Sequence, residues 1–405
     1  MQRVESGQLA PRVGVALGGA SAPHSPIEIV AEGVIWKNPY PGSQARVALK
    51  GSSVNLGGGV VLHAMQVGQA RTSCDSRCVL TRSDDSGRTW SEPWPVVIED
   101  DSHFQTTGAM LAWQADRSLL GVIVSNTYVS PEDARWQKAN GGWIDHRAVL
   151  ATSIDEGRSW KLLHAIDAPA IEGGFFAMSS PPLSSNDGTL MIVIEPMFRG
   201  SMDGWNHEAS VMFSRDEGRT WPTKAVIAKD PSRRIFYFDP KITRLASGRW
   251  LGMLWTHDTR SDQSSQATLS TSADGLAWSA VQSTPLWGFL TVPVGLPDGR
   301  VLAIYNHRRA PQGIRCCISE DEGHSWNLEH ETVLWDQAAR RVTGELAAVS
   351  QPRRWEGSAL EEMFATFDFG VPHAMVLDDG AVLVTYYATG LDHIMHQRYV
   401  RLKVH

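Results

Sequence analysis

The chain has 405 residues, 42% of them apolar, and carries 37 basic against 44 acidic side chains, a formal charge of −7. With no dense Lys/Arg run it lacks the electrostatic footprint of a nucleic-acid binder, and no apolar stretch reaches the length of a membrane-spanning helix. Such a length usually suggests two or three domains, but one closed repeat architecture can absorb nearly all of it.

Residues 1–26, rich in Gly, Ser, Ala and Pro, read as a flexible lead, and 27–405 as one domain. Arg12 to Ala22 imitates a secretion signal, but its apolar core is short and broken by glycine. The expectation is no signal and, by a narrow margin, a cytoplasmic location. Next comes an extended segment, Ile27 to Trp36, placed to supply a strand to the end of the domain alongside Tyr399 to Val404 and so close a ring.

From there two motifs alternate. Apolar residues flank a polar or Gly-centred turn in Asn55–Met65, Ala112–Val124, Leu183–Ile194, Arg244–Trp255, Gly295–Tyr305 and Val376–Tyr387, each a predicted β-hairpin. Between them stand SDDSGRTW (Ser83–Trp90), SIDEGRSW (Ser153–Trp160), SRDEGRTW (Ser214–Trp221), the shorter SADGLAW (Ser272–Trp278) and SEDEGHSW (Ser319–Trp326). Their tryptophans recur about every 60 residues, the mark of one supersecondary unit repeated. Asp-x-Gly supplies a tight turn whose carboxylate accepts backbone N–H groups, Ser and Thr close it from the flanks, and Trp plugs it from below. These acids read as structural rather than catalytic. Six hairpins and five boxes make an all-β, six-bladed β-propeller of four-stranded antiparallel blades, the last blade without a box. Helical pattern is confined to Ser130–Ala139 and Ala359–Thr366.

The four cysteines imply no disulfide framework. Cys74 and Cys78 are too closely spaced for confident pairing, and Cys316 and Cys317 read as strand residues on opposite faces. No spacing demands a metal or other cofactor; His257, Asp258 and His307 would hold one only by converging.

The start of each first strand and the end of each second strand share one rim. It collects Lys50, His63, His103, Glu172, Glu195, Arg199, Asp239, His257, Asp258, Arg260, His307, Arg308, Asp368, Tyr386 and Tyr387. Three segments stand out because charged groups end or begin otherwise apolar strands: FYFDPKI, LWTHDTR and IYNHRR. Each residue has a plainer reading. Asp239 before Pro240 could brace a turn, His257 and His307 could be ordinary loop polars, and Glu195 after five apolar residues could pair with Arg199. Tyr386 and Tyr387 point to opposite sides of one strand, so at most one faces the axis.

The boxes resemble the Asp-box, or bacterial neuraminidase, repeats of the sialidase superfamily, and Leu296–Arg300 and Leu377–Gly380 resemble that family's hairpins. The resemblance spans about residues 40–405. It implies a propeller enzyme with a tyrosine nucleophile activated by glutamate, an aspartate acid/base and three arginines gripping a substrate carboxylate. The chain departs from this pattern. The first-strand Arg-Ile-Pro is absent, Ala45-Arg46-Val47 being the nearest match with Lys50 closer to register, and Phe367-Asp-Phe-Gly-Val371 replaces the last blade's Tyr-Ser.

Three functions follow. As an exo-acting glycoside hydrolase removing a terminal acidic sugar, the chain would use Asp239 or Glu195 for acid/base chemistry and Tyr387 or a carboxylate as nucleophile. As a polysaccharide lyase, His257 or His307 would abstract the proton beside a uronate, Tyr387 would protonate the leaving oxygen and Arg308 would neutralise the carboxylate. As a binding propeller, aromatics such as Trp255, Phe236 and Phe289 would stack on sugars. Hydrolysis is preferred on the resemblance, with Asp239, His257, Asp258, His307, Tyr387 and Glu195 as catalytic candidates. Lys50, Arg199, Arg308, Tyr386, Trp255 and Phe369 are the binding candidates. The expected partner is a glycan, with neither nucleic acid nor membrane involved.

Overall fold

The computed structural model describes residues 25–37, 48–68, 74–99, 105–126, 136–137, 142–143, 146–167, 176–178, 180–185, 187–196, 207–342, 368–392 and 394–405. Six antiparallel sheets follow one another along the chain. Blade one runs from Ala48 to Pro95, blade two from Gly108 to Ala165, blade three from Phe176 to Lys229 and blade four from Ile235 to Ser283. Blade five runs from Thr291 to Asp336, and blade six takes Phe369–Val376, Val382–Thr389 and Met395–Val404. Its fourth strand is Ile27–Trp36, paired antiparallel with Met395–Val404 from Ile27 opposite Val404 to Trp36 opposite Gln397. The ring is thus closed by the two ends of the domain, as the sequence predicts, with the carboxyl-terminal strand reaching back to Met395. Closure pairs strands that would otherwise be bare edges.

Two blades depart from the four-stranded pattern. Blade three gains the short strand Leu183–Ser184 and blade four gains Gln263–Ser264. Helix expected over Ser130–Ala139 is replaced where the segment is described: Trp136–Gln137 pairs with Gly142–Trp143 as a small ladder. Ala359–Thr366 lies outside the described residues.

Strand composition follows from the stacking of blades. Val301–His307 is buried on both faces: Val301, Ala303 and Tyr305 pack with Leu251 and Met253 of blade four, while Leu302 and Ile304 pack with Val382, Val384 and Tyr386 of blade six. A strand sandwiched between two neighbours reads as a continuous apolar run rather than an alternation. Cys316 and Cys317 obey the same rule, joining the blade-six and blade-four sides respectively as free thiols.

All five boxes form the turn their sequence encodes. In the third, Asp216 accepts Ser214 Oγ at 2.7 Å, Thr220 N at 2.9 Å and Thr220 Oγ1 at 2.6 Å, while Ser214 Oγ accepts the Gly218 amide at 2.9 Å. Bonds from the Thr220 hydroxyl, the Thr220 amide and the Ser214 hydroxyl pull the Asp216 carboxyl down to about 2. Gly218 takes a φ of +85°, open to glycine at little cost. Trp160 and Trp221 are fully buried beneath their turns. Trp221→Ala is expected to destabilise the protein by about 3–5 kcal/mol, read as a fall in denaturant midpoint. An unchanged midpoint would mean the box tryptophan does not hold its blade.

The first strands line the axis, and those of blades one and two, one and six, four and five, and five and six touch one another. Leu111 N donates to Ser52 Oγ across blades one and two at 3.0 Å, and Gly295 N to Thr243 Oγ1 across blades four and five at 3.3 Å. Because strands within a blade alternate in direction, the boxes and the first hairpin turns fall on one rim. Starts of first strands and ends of second strands fall on the other.

Candidate functional site

The axial strand of blade four is bulged at the segment FYFDPKI. Phe238 pairs with Trp255 and Lys241 with Met253, leaving one residue too many on the inner strand. Pro240 has no N–H for the ladder, so an irregularity is its natural position. Asp239 takes a φ of +49°, a strained value for a residue other than glycine. Blade six repeats the device: Gly370 pairs with Tyr387 and His373 with Thr385, and Val371, before Pro372, has a φ of +45°. Bulges of this kind re-aim side chains and concentrate near functional sites.

At the blade-four bulge the Asp239 amide donates to Glu195 Oε2 at 2.6 Å, joining two of the predicted catalytic residues. Lys241 is 7% exposed beside them. Desolvation pulls its ammonium down to about 8, with Asp239 and Glu195 opposing the shift. His373, from the blade-six bulge, is lowered to about 4 by desolvation and by Lys241, and accepts the Ser53 amide at 3.4 Å. His63 is lowered to about 3 by burial and then by His373, and bonds Ser53 Oγ at 2.8 Å. A line of interacting ionisable groups therefore spans blades three, four, six and one. Lys241 and His373 are absent from the sequence prediction. Their shared signal is a basic residue directly after proline on an axial strand, Pro240-Lys241 and Pro372-His373.

A second group forms between blades five and six. Arg308 Nη2 donates to the Phe369 carbonyl at 2.7 Å, and its guanidinium lies 4.3 Å over the Phe369 ring. Desolvation lowers the Arg308 pKa, while the Tyr387 hydroxyl, hydrogen-bonded to it, and Asp368 act to raise it. Arg308, Tyr387 and Phe369 thus come together as one cluster.

The remaining candidates are engaged elsewhere. Asp258 forms a two-point ion pair with Arg234, at 3.0 and 2.9 Å from Nε, which holds its carboxyl well below the usual range. His257 bonds Ser264 Oγ at 3.2 Å, faces Asp262 at 3.3 Å, and is lowered by desolvation. His307 sits at the equivalent end of the next blade, but its Nδ1 is held by the Arg309 and Pro311 carbonyls at 2.9 and 3.2 Å, and burial lowers it to about 4. The two histidines are therefore fixed by separate local partners, and no group of three metal-ligating side chains occurs among the described residues. Tyr386 packs against Trp335 and reaches the Leu334 carbonyl at 3.4 Å; it is the tyrosine that faces the neighbouring blade. Trp255 and Phe236 are each 3% exposed and lie with Phe238 in one aromatic cluster, so neither presents an open stacking face; only Phe289 at its edge is half-buried. Arg199, His103 and Glu172 lie outside the described residues, as does the Lys50 side chain, whose backbone falls in the irregular stretch between Ala48 and Ser52.

Fold and rim define a sialidase-like propeller. The chain belongs to the BNR repeat-like domain family, whose model matches residues 127–384. No curated protein sequence gives a significant match. Among solved structures it resembles a protein of unknown function from Dyadobacter fermentans, at 21% identity and a TM-score of 0.70, covering 94% of this chain and 100% of that one. It also resembles an α-L-arabinanase of Penicillium chrysogenum complexed with arabinobiose, at 15% identity and a TM-score of 0.63, over 92% and 98% of the two chains. The NanB sialidase of Streptococcus pneumoniae superposes at 12% identity with a TM-score of 0.58, over 92% of this chain and 70% of the sialidase. At these identities the likeness is one of fold.

Proposed function

We propose that the chain is a glycoside hydrolase that removes a terminal acidic sugar from a glycan. The observation that carries this reading is the Glu195–Asp239 pair, joined through the Asp239 amide at a strained axial bulge with Lys241 beside it. Two carboxyl residues meeting on one rim suit glycosidic bond cleavage, in which one protonates the leaving oxygen and the other stabilises the positive charge that develops at the anomeric carbon. Asp239 takes the acid/base role. Glu195 is the electrostatic partner, oriented by the backbone bond. Arg308 meets the negative charge of the sugar, and Tyr387, hydrogen-bonded to that guanidinium, is the candidate nucleophile. The propeller of a sialidase and of an arabinanase supports a sugar substrate by analogy of fold.

Elimination has less support. Of the bases it needs, His257 has both ring nitrogens engaged, Nδ1 by Ser264 Oγ and Nε2 by Asp262, and burial lowers His307 to about 4, which makes it a weak base. Mass spectrometry of products from a panel of sialylated and uronate-containing oligosaccharides separates the readings. Fragments whose summed mass gains one water are expected. Fragments without added water, one bearing a new double bond, would replace hydrolysis by elimination, and an unaltered panel would favour a binding propeller.

A further inference from the structure

The five boxes are not equal, and the exception borders a groove. SADGLAW in blade four is one residue shorter than the others. On the neighbouring strand, the residue paired with the box serine is Val61, Leu119, Leu190 and Val301 in blades one, two, three and five, but Trp250 in blade four. Both departures meet on the box rim, opposite the candidate catalytic rim, where blades three and four bound a groove of about 680 Å³. That volume falls within the span of about 300–1,000 Å³ usual for small-molecule sites.

The groove carries hydrogen-bond donors that the fold itself does not use. Trp250 is 7% exposed and lines the groove, and its Nε1 makes no hydrogen bond among the described residues. By contrast Trp90, Trp160 and Trp278 each donate Nε1 to the carbonyl of their own box glycine. Valine or leucine fills the Trp250 position in four other blades, so packing does not explain the indole. The Arg244 guanidinium lies over its ring at 5.7 Å, and Arg215 lines the blade-three side. Neither arginine has an ion pair or a side-chain hydrogen bond among the described residues. The carboxylates present are engaged by their own turns. Asp274 accepts the Leu276 and Ala277 amides at 2.8 and 2.9 Å, Asp187 accepts the Thr189 amide at 3.0 Å, and Asp216 holds the third box.

We infer that this groove is a second, non-catalytic binding site for a neutral oligosaccharide, with Trp250, Arg215 and Arg244 donating to its oxygens. An anion is disfavoured, because three aspartates outnumber two arginines along the walls. What remains is a surface rich in free donors without an excess of positive charge, which suits a ligand dense in neutral oxygens. Sugar hydroxyls accept from indole and guanidinium N–H groups, and a flat, forked guanidinium reaches two neighbouring hydroxyls at once. Leu276, 47% exposed at the edge of the groove, supplies apolar surface for the C–H face of a sugar ring. Lying on the box rim, the site would hold a glycan chain without blocking the opposite rim, and it stands whether or not that rim cleaves glycans.

The test is titration calorimetry of the full chain with maltotriose, cellotriose and xylotriose, and with glucuronic acid as the anionic control. The wild-type protein is expected to bind at least one trisaccharide saturably and more tightly than glucuronic acid. Trp250→Phe keeps an aromatic ring but deletes the N–H, and should weaken that trisaccharide by about 2–10-fold. Arg215→Ala should weaken it by about tenfold. Arg215 is exposed, so its removal leaves the fold intact and decides the matter if the phenylalanine variant does not fold. No binding of any trisaccharide would overturn the inference. So would an affinity unaltered in both variants, or in Arg215→Ala where it alone folds, because the sugar would then sit on another surface. Tighter binding of glucuronic acid, lost in the same variants, would replace the neutral ligand by an anion and overturn the assignment.

Discussion

Asp239→Asn is expected to lower turnover of an acidic-sugar glycoside by about 10²–10⁴-fold, the range for removing a general acid/base, while the melting temperature stays close to that of the wild type. The substitution separates two roles that are entangled at this position. Asp239 sits at a φ of +49° in the bulge, and asparagine is among the few side chains that tolerate the left-handed region. The bond to Glu195 is made by the Asp239 main-chain amide, so it survives the change. What disappears is the ability to give and take a proton. A fall of several degrees in melting temperature with turnover retained would identify Asp239 as a turn brace before Pro240 and remove it from the chemistry. Asp239→Ala would not discriminate, since it adds a backbone penalty of roughly 1–2 kcal/mol at the same site.

Acidification should destabilise the protein well before its carboxylates titrate. His63 and His207 are lowered to about 3, His207 by burial against Phe236 and Phe238, and His307 is lowered to about 4. Each has an ordinary value of 6.5 in the unfolded chain, so between pH 6.5 and its folded value the unfolded state binds a proton that the native state refuses. Stability is therefore fully present above pH 6.5 and falls as the pH drops toward 4. The slope is up to about 1.4 kcal/mol per pH unit for each group. Asp216, held down to about 2, adds its loss only below its unfolded value near 3.8. Thermal melts from pH 7 to 4.5 should show a steep decline, and His307→Asn should flatten it, because the asparagine amide can still donate to the loop carbonyls without taking up a proton. A melting temperature unchanged across that range would show that these rings are not held neutral in the fold.

The boxes, the hairpins and the closing strand were legible from the chain because each is held by short-range chemistry or by periodic burial. Bonds within a box span two to four residues, such as Ser214 to Asp216 and Asp216 to Thr220, so the eight-residue phrase contains its own structure. The alternation that sends Tyr386 to the next blade and Tyr387 to the opposite face is likewise a property of one strand. Even so, the pattern overstated regularity. It did not reveal the fifth strands of blades three and four, the ladder at Trp136–Gln137, or that Trp255 and Phe236 would be consumed by one aromatic cluster.

The candidate site is of another kind. Glu195 and Asp239 are 44 residues apart, Arg308 and Phe369 are 61 apart, and Ser53 and His373 are 320 apart. The sequence could place Glu195, Asp239, Arg308 and Tyr387 on one rim, because rim position follows from strand direction. It could not say that Asp239 would join Glu195 while Asp258 was taken by Arg234, or that His257 and His307 would be bound by their own loops. Nor did it raise Lys241 and His373 above their neighbours, since a basic residue after proline gains meaning only from what the adjacent blade brings to it. Local bonding and burial period determined the propeller; the pairing of side chains across blades, decided by ring closure and two axial bulges, determined which of its polar residues meet.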